Sequence, residues 1–190
     1  MPRTEKQFEE IRAQKIELIM QSALELFANE GYYATSISKI AQKAGISKGL
    51  MYNYFNSKED LVLDIIGIGI SKLTEIIDPN KDGFLTEEEF VFHIHENFRI
   101  LQENIDYWKL YFSTMMQPAV FKLVFSKYPD MFIQLTAIFE DYFRRKGVPD
   151  PVAEALFYGA LLDGISLNYV MNPEGFPLEK MKMMVIERFK

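Results

Sequence analysis

Apolar positions recur three and four residues apart along nearly the whole chain, and no segment alternates convincingly with a period of two. The spacing predicts helices over residues 5–29, 36–44, 47–55, 57–77, 86–104, 107–116, 129–145, 151–171 and 177–189, with a further turn or two from Pro118 through Phe125. Each boundary carries a proline, a glycine or an oxygen-bearing cap, the residues that start and stop helices. An all-α fold of about nine helices follows, divided near Ser57 into an N-terminal unit (1–57) and a larger helical unit (58–190).

Within the N-terminal unit, Ile16, Ala23, Leu26 and Phe27 form the apolar side of a long first helix. Thr35 or Ser36 caps the second, whose Ile37, Ile40, Ala41 and Ala44 share one face. Gly45 ends it, Ile46 turns back to the core, and Ser47 caps a third helix bearing Leu50, Met51, Tyr52, Tyr54 and Phe55.

Charge changes how this unit reads. The chain's net charge of −6 comes wholly from residues 61–190, with 13 basic and 19 acidic residues; residues 1–60 balance at eight of each. From Gly31 to Lys58 there are four lysines (Lys39, Lys43, Lys48, Lys58) and no acid. Two short helices joined at a glycine turn, with hydroxyls and lysines on their surface, suit the reading of a DNA major groove. Lys48 lies four residues before Tyr52, so the two share a face, and Gly49 lets backbone approach closely. The hydroxyls of Thr35 and Ser36 complete the candidate face.

The segment IAQKAGISKGLMYNYFNSKEDL resembles the helix-turn-helix signature of the tetracycline-repressor (TetR) family of bacterial regulators. The resemblance implies that Lys48, Gly49 and Leu50 read bases, that Tyr54 meets a base or a phosphate, and that Tyr52 and Lys58 clamp phosphate. It also implies a homodimer on a palindromic double-stranded operator, acting as a repressor and released by a small effector. Ala155, Gly159 and Gly164, with Met181, Met184 and Val185, would form a four-helix dimer bundle; the same residues also suit packing within one subunit. An apolar effector cavity is implied among Tyr107, Trp108, Tyr111, Phe112, Met115, Phe132, Phe139, Phe143 and Tyr158, with Asn168 as a polar contact. Residues this bulky at helical spacing also suit a plain core. Gly67 and Gly69 interrupt the 57–77 helix, either for tight packing or to soften a coupling element.

One motif lies outside that resemblance. Asp78, Asn80, Asp82, Phe84 and Glu89 occupy the ligand positions of an EF-hand loop, with Gly83 at its sharp turn, and point to Ca2+ or Mg2+. The same residues also make a good turn followed by a capping box without any metal. A calcium-responsive sensor using residues 78–89 as its switch is therefore the competing function. The pattern requires no cofactor. His93 and His95 lie two apart, which is poor metal geometry, and no nucleophile–base pair is recognisable, so an enzyme is not expected. The polar N-terminus and the absence of a long apolar run argue for no membrane association and a cytoplasmic protein. Cysteine is absent, which excludes disulfides and thiol chemistry.

Overall fold

The computed structural model describes residues 5–80 and 82–190, with the side chains of 5, 119, 131 and 132 outside the description. The expected cavity position Phe132 therefore has no described side chain. Ten helices are present among these residues: α1 (Glu5–Glu30), α2 (Ile37–Lys43), α3 (Lys48–Met51), α4 (Lys58–Ile77), α5 (Glu87–Glu103), α6 (Ile105–Met115), α7 (Pro118–Lys127), α8 (Pro129–Arg145), α9 (Pro151–Met171) and α10 (Leu178–Phe189). The turn expected after Pro118 is a full helix, α7, with the proline at its first position, where a missing N–H costs nothing.

The caps act as their chemistry predicts. Ser36, Ser47 and Ser57 each accept a hydrogen bond from the backbone N–H three residues on, and Asp150 does the same for α9. Thr86 and Glu89 close a reciprocal capping box on α5. Gly45 adopts φ +65°, which lets the Ile46 N–H reach back to the Ala41 carbonyl at 3.0 Å. That bond directs the chain from α2 into α3.

Ile19, Ala23 and Phe27 of α1 are buried against Ile40, Ala41, Met51 and Leu61. A fully buried side chain of the Leu, Ile or Phe kind contributes about 1.5–3 kcal/mol, so this small cluster fixes the short helices that lack stability of their own. Helix α1 continues past them to pack along α6 and α4. A second core is aromatic: Phe90, Phe139, Tyr142, Phe143, Tyr158 and Phe189 meet where α5, α8, α9 and α10 converge.

Candidate nucleic-acid interface and the adjoining cavity

Helix α3 is shorter than the spacing predicts. It ends at Met51, and the chain continues as a tight turn in which the Asn53 N–H bonds to the Leu50 carbonyl and the Tyr54 N–H to the Met51 carbonyl. Lys48, Gly49, Leu50 and Tyr52 are exposed on it, Leu50 at 38% and Tyr52 at 49%. These residues form one outward face. Tyr54 is half-buried beneath the Arg12 guanidinium, which lies 5.3 Å from its ring centre, so it supports the face from the side. Tyr33, which the sequence pattern did not single out, is 69% exposed beside α2.

Two of the expected DNA contacts are corrected. Thr35 is buried, and its hydroxyl donates to the Gly31 carbonyl at 2.9 Å, so it anchors the loop and does not face outward. Ser36, one residue on, is exposed and is the true cap of α2. Lys58 turns inward as well: its ammonium donates to the carbonyls of Tyr32 (2.8 Å) and Thr35 (3.0 Å) and lies 4.3 Å from the Tyr32 ring centre. The Tyr32 hydroxyl in turn donates to Glu59 at 3.1 Å; the backbone N–H of Glu59 first, and this hydroxyl after it, hold that carboxylate below its usual range. Together these contacts tie the start of α4 to the loop before α2.

The charge of the face also differs from a count along the segment. Lys39 pairs with Glu30, and Lys43 pairs with Glu25 at 2.8 Å, both acids coming from α1. With Lys58 turned inward, Lys48 is the one lysine of the four that makes no ion pair or side-chain hydrogen bond among the described residues. Exposed pairs of this kind are worth little and exchange readily for phosphate.

Beside this head lies a cleft of about 520 Å3 between α1, α4 and the junction of α5 with α6. Tyr107 and Trp108 line it, together with Ile16, Met20, Leu24, Ile65, Ile68 and Ile100, which were not singled out. Phe139, Phe143 and Tyr158 do not line it: their rings fill the aromatic core, with Phe139 and Tyr158 at 5.0 Å between centres. Asn168 is exposed and donates to the Gly164 carbonyl, outside the wall of this cleft. Tyr111, Phe112 and Met115 continue the aromatic side of α6 behind Trp108 and pack into the core. A cavity is a property of how helices meet, so residue type alone could not locate it.

The candidate dimer face divides in the same way. Gly159 and Met184 are exposed, and nothing approaches where a side chain at Gly159 or Gly164 would sit. Ala155 and Val185 face inward and are buried, and Met181 packs on the core, so these three serve the subunit itself. Leu156 and Phe157, each at least half exposed, extend the outward apolar face of α9.

The loop from Asp78 to Glu89 is ordered by its own oxygens. Asp78 accepts from the backbone N–H of Asp82 and Gly83, Asp82 accepts from that of Phe84, and Gly83 has φ +77°. The Asn80 amide donates to both Asp82 (3.1 Å) and Glu89 (3.0 Å). Among the described residues, no group of three acidic, histidine or cysteine side chains is gathered closely enough to hold a metal ion. Phe84 lies under the Arg145 guanidinium, 3.7 Å from its ring centre, which fastens the loop to the end of α8. His93 is fully buried against Phe139, and desolvation pushes its imidazole down to about 3.

No described helix is long and apolar enough to cross a membrane. Residues 19–65 match the pattern of "Bacterial regulatory proteins, tetR family". A transcriptional regulator of Bacillus subtilis, YuxN, is 37% identical over 93 residues, covering 48% of this chain and 31% of that protein. The fatty acid metabolism regulator protein of the same organism is 30% identical over 84 residues, covering 44% of this chain and 43% of the relative. The matched parts thus span less than half of each of these relatives. The fold extends much further: FadR of Bacillus subtilis, solved with stearoyl-CoA, superposes with a TM-score of 0.73 at 21% identity, over 91% of this chain and 96% of that one. The fatty acid degradation regulator FadR from Bacillus halodurans gives 0.72 at 21% identity, over 92% and 94%.

Proposed function

Because this chain belongs, through its N-terminal helices, to the TetR family of bacterial regulatory proteins, we propose that it is a transcription regulator and not an enzyme. It binds a palindromic duplex operator as a cytoplasmic homodimer and leaves it when a small effector binds. The observation that carries this reading is the outward face of Lys48, Gly49, Leu50 and Tyr52 on a capped helix behind a glycine turn. Lys48 reaches guanine edges, Leu50 meets a thymine methyl, and Tyr52 steadies a phosphate. One such helix reads too few bases, and the exposed apolar strip of Leu156, Phe157 and Met184 supports pairing of two subunits. Such symmetry sets half-sites about 34 Å apart. Selection of bound duplexes from a random pool tests the reading: a recovered palindrome supports it, and recovery of no preferred sequence overturns it.

A second reading rests on the Asn80 amide, which stands between the carboxylates of Asp82 and Glu89. Millimolar Ca2+ takes the place of those two N–H donors after the amide turns away, and the loop joining α4 to α5 becomes a cation-dependent switch. Thermal melting in EDTA and then in calcium decides it: stabilisation lost in Glu89→Gln supports the cation site, and an unchanged melting temperature removes it.

A further inference from the structure

Resting on the regulator reading above, we propose that the Asn53 side chain reads an adenine in the major groove and so fixes one base in each half-site of the preferred duplex. Asn53 carries no resolved role in the fold, and the sequence pattern did not single it out.

Position puts Asn53 in the middle of the outward face. The chain keeps a helical course past Met51, since the Phe55 N–H still bonds to the Met51 carbonyl four residues back at 3.1 Å. Asn53 therefore lies one turn after Gly49 and shares its side. Leu50 and Tyr52 flank that side, exposed, while Met51 and Phe55 are buried. Only the Ser47 hydroxyl, at 4.0 Å, approaches the place that a side chain at Gly49 would take. The residue ahead of Asn53 thus leaves the approach to its amide open. Its backbone is held on both sides: the N–H donates to the Leu50 carbonyl at 3.1 Å, and the Arg12 guanidinium of α1 lies 3.5 Å from its own carbonyl. The side-chain amide is exposed and makes no hydrogen bond among the described residues.

The amide's chemistry names the base. Its N–H donor and carbonyl acceptor stand side by side on a short arm and match adenine, which presents a donor at N6 beside an acceptor at N7. Guanine presents two acceptors there and suits Lys48, which offers donors only. Leu50 offers neither, and the Tyr52 hydroxyl touches at a single point. Among the side chains from Lys48 to Asn53, the amide alone sets a donor next to an acceptor. An A·T pair also carries the thymine methyl against which Leu50, beside Asn53, packs.

Duplexes selected by the parent protein are expected to fix an adenine at one position of each half-site. Selection with Asn53→Ala should return the same palindrome with that position relaxed and the others kept, and Asn53→Ala should bind the parent's duplex about tenfold more weakly. The chemical probe is 7-deazaadenine at that position in one half-site, which removes N7 and leaves the base pair intact. It should weaken binding by the parent about fivefold, for one hydrogen bond, and leave binding by Asn53→Ala unchanged. The 7-deazaadenine effect is read on the parent, so it stands whether or not the variant folds. Retention of every base preference in Asn53→Ala, or equal weakening of both proteins by 7-deazaadenine, overturns the assignment. So does a loss of affinity uniform across sequences with a salt slope lower by about 1, the mark of a phosphate contact. A palindrome that shows no dependence on adenine N7 overturns the role of Asn53 and leaves the regulator reading standing; a pool that yields no preferred sequence overturns both.

Discussion

The ring of Tyr107 rests on the bare backbone of Gly69, and its hydroxyl donates to the Ile66 carbonyl at 3.1 Å. A side-chain carbon added at Gly69 would overlap that ring. Tyr128 repeats the arrangement two residues earlier, over Gly67 and with its hydroxyl on the Leu63 carbonyl at 3.3 Å. The glycines of α4 are thus sockets for tyrosines. Gly69→Ala gains about 1 kcal/mol of helix propensity but forces a buried ring aside at about 1–3 kcal/mol. Net destabilisation is the expected outcome in urea melting, and Gly69→Ala with Tyr107→Phe should recover little, since the ring remains.

Lys48 and Lys58 separate DNA contact from head stability. Lys48→Ala should weaken binding to the selected duplex and lower the slope of log affinity against log salt by about 1, because one phosphate or base contact is lost. Its melting temperature should stay within a degree or two, as an exposed residue with no partner changes stability by less than about 0.5 kcal/mol.

Lys58→Met should behave in the opposite way. Removing the ammonium leaves the Tyr32 and Thr35 carbonyls without their donor, at a cost of about 1–3 kcal/mol. The melting temperature falls while the salt slope stays close to that of the parent. An unchanged melting temperature would show that the inward geometry of Lys58 contributes nothing.

His93 makes acid stability testable. Its folded-state value lies below that of the exposed imidazole, so the unfolded chain binds the proton first and stability declines as pH falls below about 6.5. By pH 5 this group alone has removed about 2 kcal/mol. His93→Leu keeps a similar volume, deletes two buried nitrogens without partners and should flatten that part of the stability profile.

Much of this architecture is legible in residue order. Residues 129–145 and 151–171 form helices at the predicted bounds because each starts at a proline, and a proline, glycine or cap residue marks each end. The turn at Gly45 follows from a residue free to take positive φ. What escapes is whatever depends on a second helix. The neutralising partners of Lys39 and Lys43 sit on α1, outside the acid-free segment. Ala155 and Gly159 look alike as small residues and lie one turn apart on the same side of α9, yet the first is buried and the second exposed. The EF-hand pattern describes the loop's backbone well, but the Asn80 amide takes a place between carboxylates that spacing cannot foresee.

The two lysines of α2 are already occupied by Glu25 and Glu30 before any duplex arrives. Both pairs are exposed and worth little, so an incoming phosphate could replace either carboxylate at small cost, with a smaller net gain than an unpaired lysine would give. On the proposed reading, a matched sequence would add edge contacts to that modest gain. On the regulator reading proposed above, the face from Gly31 to Lys58 offers one unpaired lysine among the described residues and leaves the rest of its discrimination to shape and edge contacts.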